Sequence, residues 1–126
     1  MLTITNCTQT KTPKKLPLTK AASLILGENY DLSLVIVGST KMKSLNKQYR
    51  QKETAANILS FPLSKTVGEI FINKDKIKSE SKKFKLTPNK YFIYLFIHGC
   101  LHLKGMTHSS KMEEKEQTIM SVLGLL

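Results

Sequence analysis

All three histidines of the chain fall within eleven residues, His98-Gly-Cys-Leu-His102-Leu-Lys-Gly105-Met-Thr-His108. Neutral imidazole is a metal ligand near pH 7. Residues i and i+4 of a helix lie one above the other, with Cβ atoms about 6 Å apart, so His98 and His102 can grip one ion from a single helix face. Gly105 lets the chain reverse, and His108 is then close enough to return as a third ligand. Three imidazoles favour one Zn2+ ion. No fourth protein ligand is evident, which leaves a position for water, the pattern of catalytic rather than structural zinc. Cys100 lies two residues from each of the first two histidines, about 160–200° around the helix, and is expected to face the core.

The spacing H-x3-H-x2-G-x2-H is also that of metzincin metalloproteases, but those enzymes place a glutamate base after the first histidine and this chain has Gly99. A metal scaffold is therefore expected without the proteolytic base. A second candidate is Arg50, the only arginine among 20 basic residues. Its planar fork can engage two phosphate oxygens together, which an ammonium cannot. The net charge of +11 favours anionic partners, with nucleic acid first and an acidic membrane surface second.

The elements that must position these residues can be read from pattern. Leu2 to Asn6 alternates as a strand, and Leu32 to Val37 is a β-branched apolar run expected to be a buried strand. Between them Pro17 can open a helix with Leu18, Ala21, Ala22 and Ile25 on one face and Gly27 as its stop. Ser39 or Thr40 caps a helix with Met42, Leu45 and Tyr49 on its inner face and Arg50 at its end. Ile58 to Leu63 and Val67 to Ile72 read as adjacent strands, and Pro62 marks the first as an edge strand or marks its end. Asn73 caps a helix to about Phe84. Thr87 and Pro88 open the long histidine helix, which Gly105 ends. Ser110-Lys111-Met112-Glu113 reads as a capping box for a last helix, with Glu113, Glu114 and Glu116 suited to its positive end. The Lys-rich stretch 74–90 reads as a solvated face. The expected fold is α+β with α/β-type layers: a small mixed sheet of about four strands against a central metal-bearing helix and several others.

At 126 residues and 40% hydrophobic content, one domain over residues 1–126 with a real core is expected. Two cysteines far apart make no disulfide framework and favour a reducing compartment. No signal peptide is visible, and the most apolar stretch, Tyr91 to Ile97, is far shorter than the roughly 20 residues of a spanning helix. A cytoplasmic protein without membrane partners is expected. The aromatics Tyr91, Phe92, Tyr94, Phe96 and Phe61 are expected mostly to pack rather than to stack on bases.

The segment HGCLHLKGMTH resembles the HGxLHLxGYDH signature of the bacterial YbeY endoribonucleases. LNKQYR (45–50) is similar to that family's motif ending in an arginine, NILSFP (57–62) to its TDVLSFP strand, and VGEIFI (67–72) to its LGDIxI strand. The match runs from about residue 45 to the C-terminus. Ala56 and Asn57 stand where the family has Thr-Asp, Glu69 where it has Asp, and Met106-Thr107 where it has Tyr-Asp. The resemblance implies a zinc-dependent endoribonuclease acting on single-stranded RNA, with His98, His102 and His108 as ligands and Arg50 and His98 as catalytic residues. It also implies a role in maturing the 3′ end of small-subunit (16S) rRNA and in ribosome quality control, hence rRNA and the small ribosomal subunit as partners. A non-catalytic assembly factor with a structural metal is the alternative, followed by a metal hydrolase of another substrate class.

Overall fold

The computed structural model describes residues 1–50 and 56–126. In chain order the elements are β1 (Leu2–Asn6), α1 (Leu18–Leu26), β2 (Asp31–Val37), α2 (Ser39–Arg50), β3 (Ile58–Pro62), β4 (Val67–Asn73), α3 (Lys74–Lys83), α4 (Pro88–Leu103) and α5 (Ser110–Val122). The strands form one mixed sheet in the order β1-β2-β4-β3. β1, β2 and β4 are parallel, with Asp31 opposite Val67 and Val37 opposite Asn73. β3 returns antiparallel to β4, with Ile58 opposite Ile72 and Pro62 opposite Gly68. Pro62 sits on an edge strand, where a missing N–H breaks no ladder. The fold is the expected α+β arrangement.

Strand side chains alternate between the two faces. Leu34, Ile36, Ile70 and Ile72 belong to the main core with α1, α4 and α5, whereas Leu59, Phe61 and Phe71 pack with Met42 and Leu45 of α2. α4 is the central element: nine of its 16 residues are buried, so it needs no one-sided apolar stripe. Thr87 caps it by accepting from the Lys90 N–H, and Pro88 occupies its first turn. Gly99 lets α4 press on the sheet. A Cβ there would lie 2.9 Å from Ile58 Cδ1 and 3.0 Å from both Ile70 Cδ1 and Ser60 Oγ.

Several local expectations shift. Pro17 is the residue before α1 rather than its first. α2 has its first N–H groups answered from a distance, since the Ser39 N–H donates to Asp75 Oδ2 at 2.7 Å. Tyr49 is 59% exposed, and Asn46 takes the inner place expected for it. The cap of α5 is Ser109, which accepts from the Met112 N–H, so Glu113 falls one position too late for a capping box. Glu116 lies beyond the first turn of α5 and is 1% exposed, so it does not serve the helix's positive end.

Candidate metal centre and cleft

His98 and His102 project from one face of α4 with their Nε2 atoms 3.0 Å apart. The ring of His108 lies 5.4 Å from that of His98, centroid to centroid, and one ligand atom from each histidine falls within 4.8 Å of the others. Tetrahedral zinc bonds of about 2.1 Å would put neighbouring nitrogens about 3.4 Å apart, so small ring movements complete the set.

The other ring nitrogens fix the tautomers. His102 Nδ1 is 3.0 Å from the Met106 carbonyl oxygen, which can only accept. His98 Nδ1 is 2.9 Å from Glu116 Oε2, a carboxylate 1% exposed. Both Nδ1 atoms therefore donate, and in the neutral rings that leaves both Nε2 lone pairs facing the same point. Lone pairs so close need a proton or a metal cation between them. This is the donor set a divalent ion fits, with carboxylate and carbonyl support behind the ligands. Desolvation, and next the neighbouring His98, pull the His102 imidazole below its ordinary value of 6.5, which keeps it neutral at pH 7.

The turn after α4 explains why the third histidine returns. Gly105 has φ 104°, its N–H donates to the His102 carbonyl, and the Met106 N–H donates to the Leu101 carbonyl. This is a Schellman motif, for which glycine carries no Cβ penalty. The same turn aims the Met106 carbonyl at His102 and brings His108 around. Cys100 points into the core as expected; its side is fully buried, and burial pushes its thiol far above the usual range. A glutamate at position 99 would meet the sheet, so the position that carries the protease base has no room for one here.

Arg50 reaches the same place from α2. It lines a cleft of about 490 Å³ together with His98, His102 and the β3 residues Asn57 to Phe61. The structure thus brings Arg50 to the histidines. Glu116 was not among the sequence candidates, although a signal existed: it fills the middle of a stripe made by Met112, Ile119 and Met120, where an apolar residue belongs. Asn57 and Glu80 were also missed. Glu80 Oε1 accepts from the Tyr91 hydroxyl at 2.7 Å and from Asn57 Nδ2 at 3.1 Å, tying the start of β3 to α3 and α4.

Comparison with known proteins agrees with this geometry. The family model described as endoribonuclease YbeY matches residues 4–124. The endoribonuclease YbeY of Carboxydothermus hydrogenoformans is 34% identical over 121 residues, covering 86% of this chain and 85% of that protein. The one from Colwellia psychrerythraea is 32% identical over 138 residues, covering 94% and 89%. The solution structure of TM1509 from Thermotoga maritima has the same fold, with a TM-score of 0.66 at 24% identity over 98% of this chain and 89% of that one. With three histidines converging on one point, in a chain matched over nearly its whole length, the protein belongs to the YbeY endoribonuclease family.

Proposed function

We propose that this chain, acting as one domain over residues 1–126, is a zinc-dependent endoribonuclease. In this reading it cleaves single-stranded RNA and matures the 3′ end of small-subunit rRNA in the cytoplasm. The observation that carries the reading is the convergence of His98, His102 and His108 on one point, with Arg50 lining the cleft beside His98 and His102. His98, His102 and His108 would hold a single Zn2+. Zinc suits three neutral nitrogen donors backed by a carboxylate and a carbonyl. When bound, it supplies Lewis acidity at a phosphate oxygen or a water molecule.

The chain's own residues do the rest. Arg50 engages two oxygens of the scissile phosphate and offsets the charge that builds as the bond breaks. Glu116 holds the His98 Nδ1 proton, which keeps Nε2 aimed into the cleft. Met106 does the same for His102. The net charge of +11 draws the RNA backbone to the surface before any specific contact forms.

The test combines metal content with cleavage. Purified protein should carry zinc near one equivalent and cut a single-stranded RNA, and His98→Ala or His102→Ala should abolish both. Arg50→Lys should bind RNA nearly as well and cut it far more slowly; unchanged turnover would remove Arg50 from the mechanism. Cleavage that survives in the zinc-free variants would trace it to a contaminant. Undiminished binding of immature small subunits by a folded, metal-free variant, in the absence of any cleavage by wild type, would mark an assembly factor instead.

A further inference from the structure

A second cavity of about 290 Å³ adjoins the cleft, and His98, Asn57 and Ile58 line both. Beyond the shared residues its walls differ from those of the cleft: Phe84, Tyr91, Tyr94 and Leu95, with His108, stand in place of the arginine. Phe84 is the unusual member. It stands at the C-cap of α3, 58% exposed. The turn there puts Lys85 at φ 55° and sends Leu86, not Phe84, against the core. One face of Phe84 stacks on Tyr91, with centroids 5.4 Å apart and planes 16° from parallel. The Tyr91 ring is itself immobilised, because Glu80 holds its hydroxyl. The result is a rigid, flat, apolar shelf next to a site suited to phosphate.

A nucleic-acid strand alternates the same two chemistries, a charged phosphate and a planar base. We propose that this aromatic cavity binds an unpaired nucleobase adjoining the scissile phosphate, by stacking on the exposed ring of Phe84, which the buried Tyr91 backs from the other side. The inference rests on the ribonuclease reading above and adds to it a base subsite. Stacking uses the π-face common to all bases, so the subsite is tolerant of sequence but demands an unpaired strand. It therefore gives the single-strand preference a physical origin: a base held in a duplex cannot reach the shelf.

The chain has no tryptophan, so Phe84→Trp installs a single fluorescent reporter. The probe is a nuclease-resistant 2′-O-methyl oligonucleotide, compared with one of equal length and charge that is abasic throughout. The indole should be quenched by the first and not by the second. In wild-type protein the base-bearing strand should bind about tenfold more tightly than the abasic one. Phe84→Ala and Phe84→Leu should both lose that advantage while binding the abasic strand as wild type does. Leucine keeps the apolar bulk without the π-face, and a thermal melt confirms that each variant is folded. Equal binding of the two strands by wild type, or an undiminished preference in Phe84→Ala, overturns the base subsite. If the zinc-loaded wild type still cleaves RNA in that case, the ribonuclease reading stands alone. If wild type neither binds nor cleaves RNA, both fall together.

Discussion

Two carboxylates in this molecule hold an aromatic ring of α4, and they do so on different terms. Glu80 is half-buried and receives two donors on one oxygen, the Tyr91 hydroxyl and the Asn57 amide. Glu116 is 1% exposed; its Oε2 receives the His98 ring, its charge also acts on the Tyr94 hydroxyl, and its Oε1 has no close hydrogen-bond partner among the described residues. A buried polar atom left unpaired costs free energy, typically about 1–3 kcal/mol. The Glu80 network ties three elements together and strengthens the fold. The Glu116 contact orients a ligand from a buried position, where desolvation of the carboxylate offsets what its hydrogen bond contributes, as is expected where a site and not the core sets the requirement.

The sharpest way to separate the two regions is the metal itself. Zinc at about 1,000 times its dissociation constant should stabilise the wild type by about 4 kcal/mol, and His98→Ala should remove that entire gain. Calorimetric melts with and without zinc measure it; a full gain in the variant would mean the ion binds elsewhere.

Glu116→Gln comes next. Zinc affinity should fall about 10- to 100-fold, read by competition with a chromogenic chelator. The melting temperature of the metal-free protein should hold or rise. A variant that instead loses stability and keeps its zinc would make Glu116 another Glu80.

Glu80→Ala should show the opposite profile. Stability should drop by about 1–3 kcal/mol in urea titration, as the Tyr91 hydroxyl and Asn57 amide lose their acceptor. Zinc affinity should stay within about twofold, because Glu80 hydrogen-bonds Tyr91 and Asn57 and no ligand histidine.

The smallest effect is an alkaline pH dependence to which the Glu80 region contributes through Tyr91. Burial, and then the hydrogen bond to Glu80, push the Tyr91 phenol well above its ordinary value of 10.0. The folded state therefore holds this proton more tightly than the unfolded chain. Its contribution is fully present below pH 10 and declines as the pH climbs beyond, because the unfolded chain ionises first. Tyr91→Phe should make the alkaline limb of the stability curve shallower, leaving the part due to Tyr30, Tyr94 and Cys100, which burial also raises. An unchanged limb would assign the alkaline loss to other groups.

What the sequence disclosed follows the range of the interactions involved. α4 and its ligands were legible because everything that builds them is local: Thr87 and Pro88 start the helix, the i, i+4 spacing pairs His98 with His102, and Gly105 turns the chain. That β3 is an edge strand or ends at Pro62 was legible from the proline alone. Glu116 was not, because its role depends on α5 packing back against α4, and charge pattern alone assigned it to a helix end. Tyr49 failed for a similar reason. Its spacing fits the inner face of α2, but its ring instead leans on Phe61 with centroids 5.1 Å apart, at the rim of the sheet. Even the shift of the α5 cap from Ser110 to Ser109 is of this kind, since two adjacent serines offer the same hydroxyl and only the path of the incoming chain chooses between them.

The glycine turn behind His102 ends a helix, supplies a carbonyl to one ligand and delivers another. Fraying of the last turn of α4 and release of the ion should then be a single event, with helix end and metal reporting on one equilibrium. Amide hydrogens of Gly105 and Met106 should exchange with solvent more slowly when zinc is added, in proportion to its occupancy.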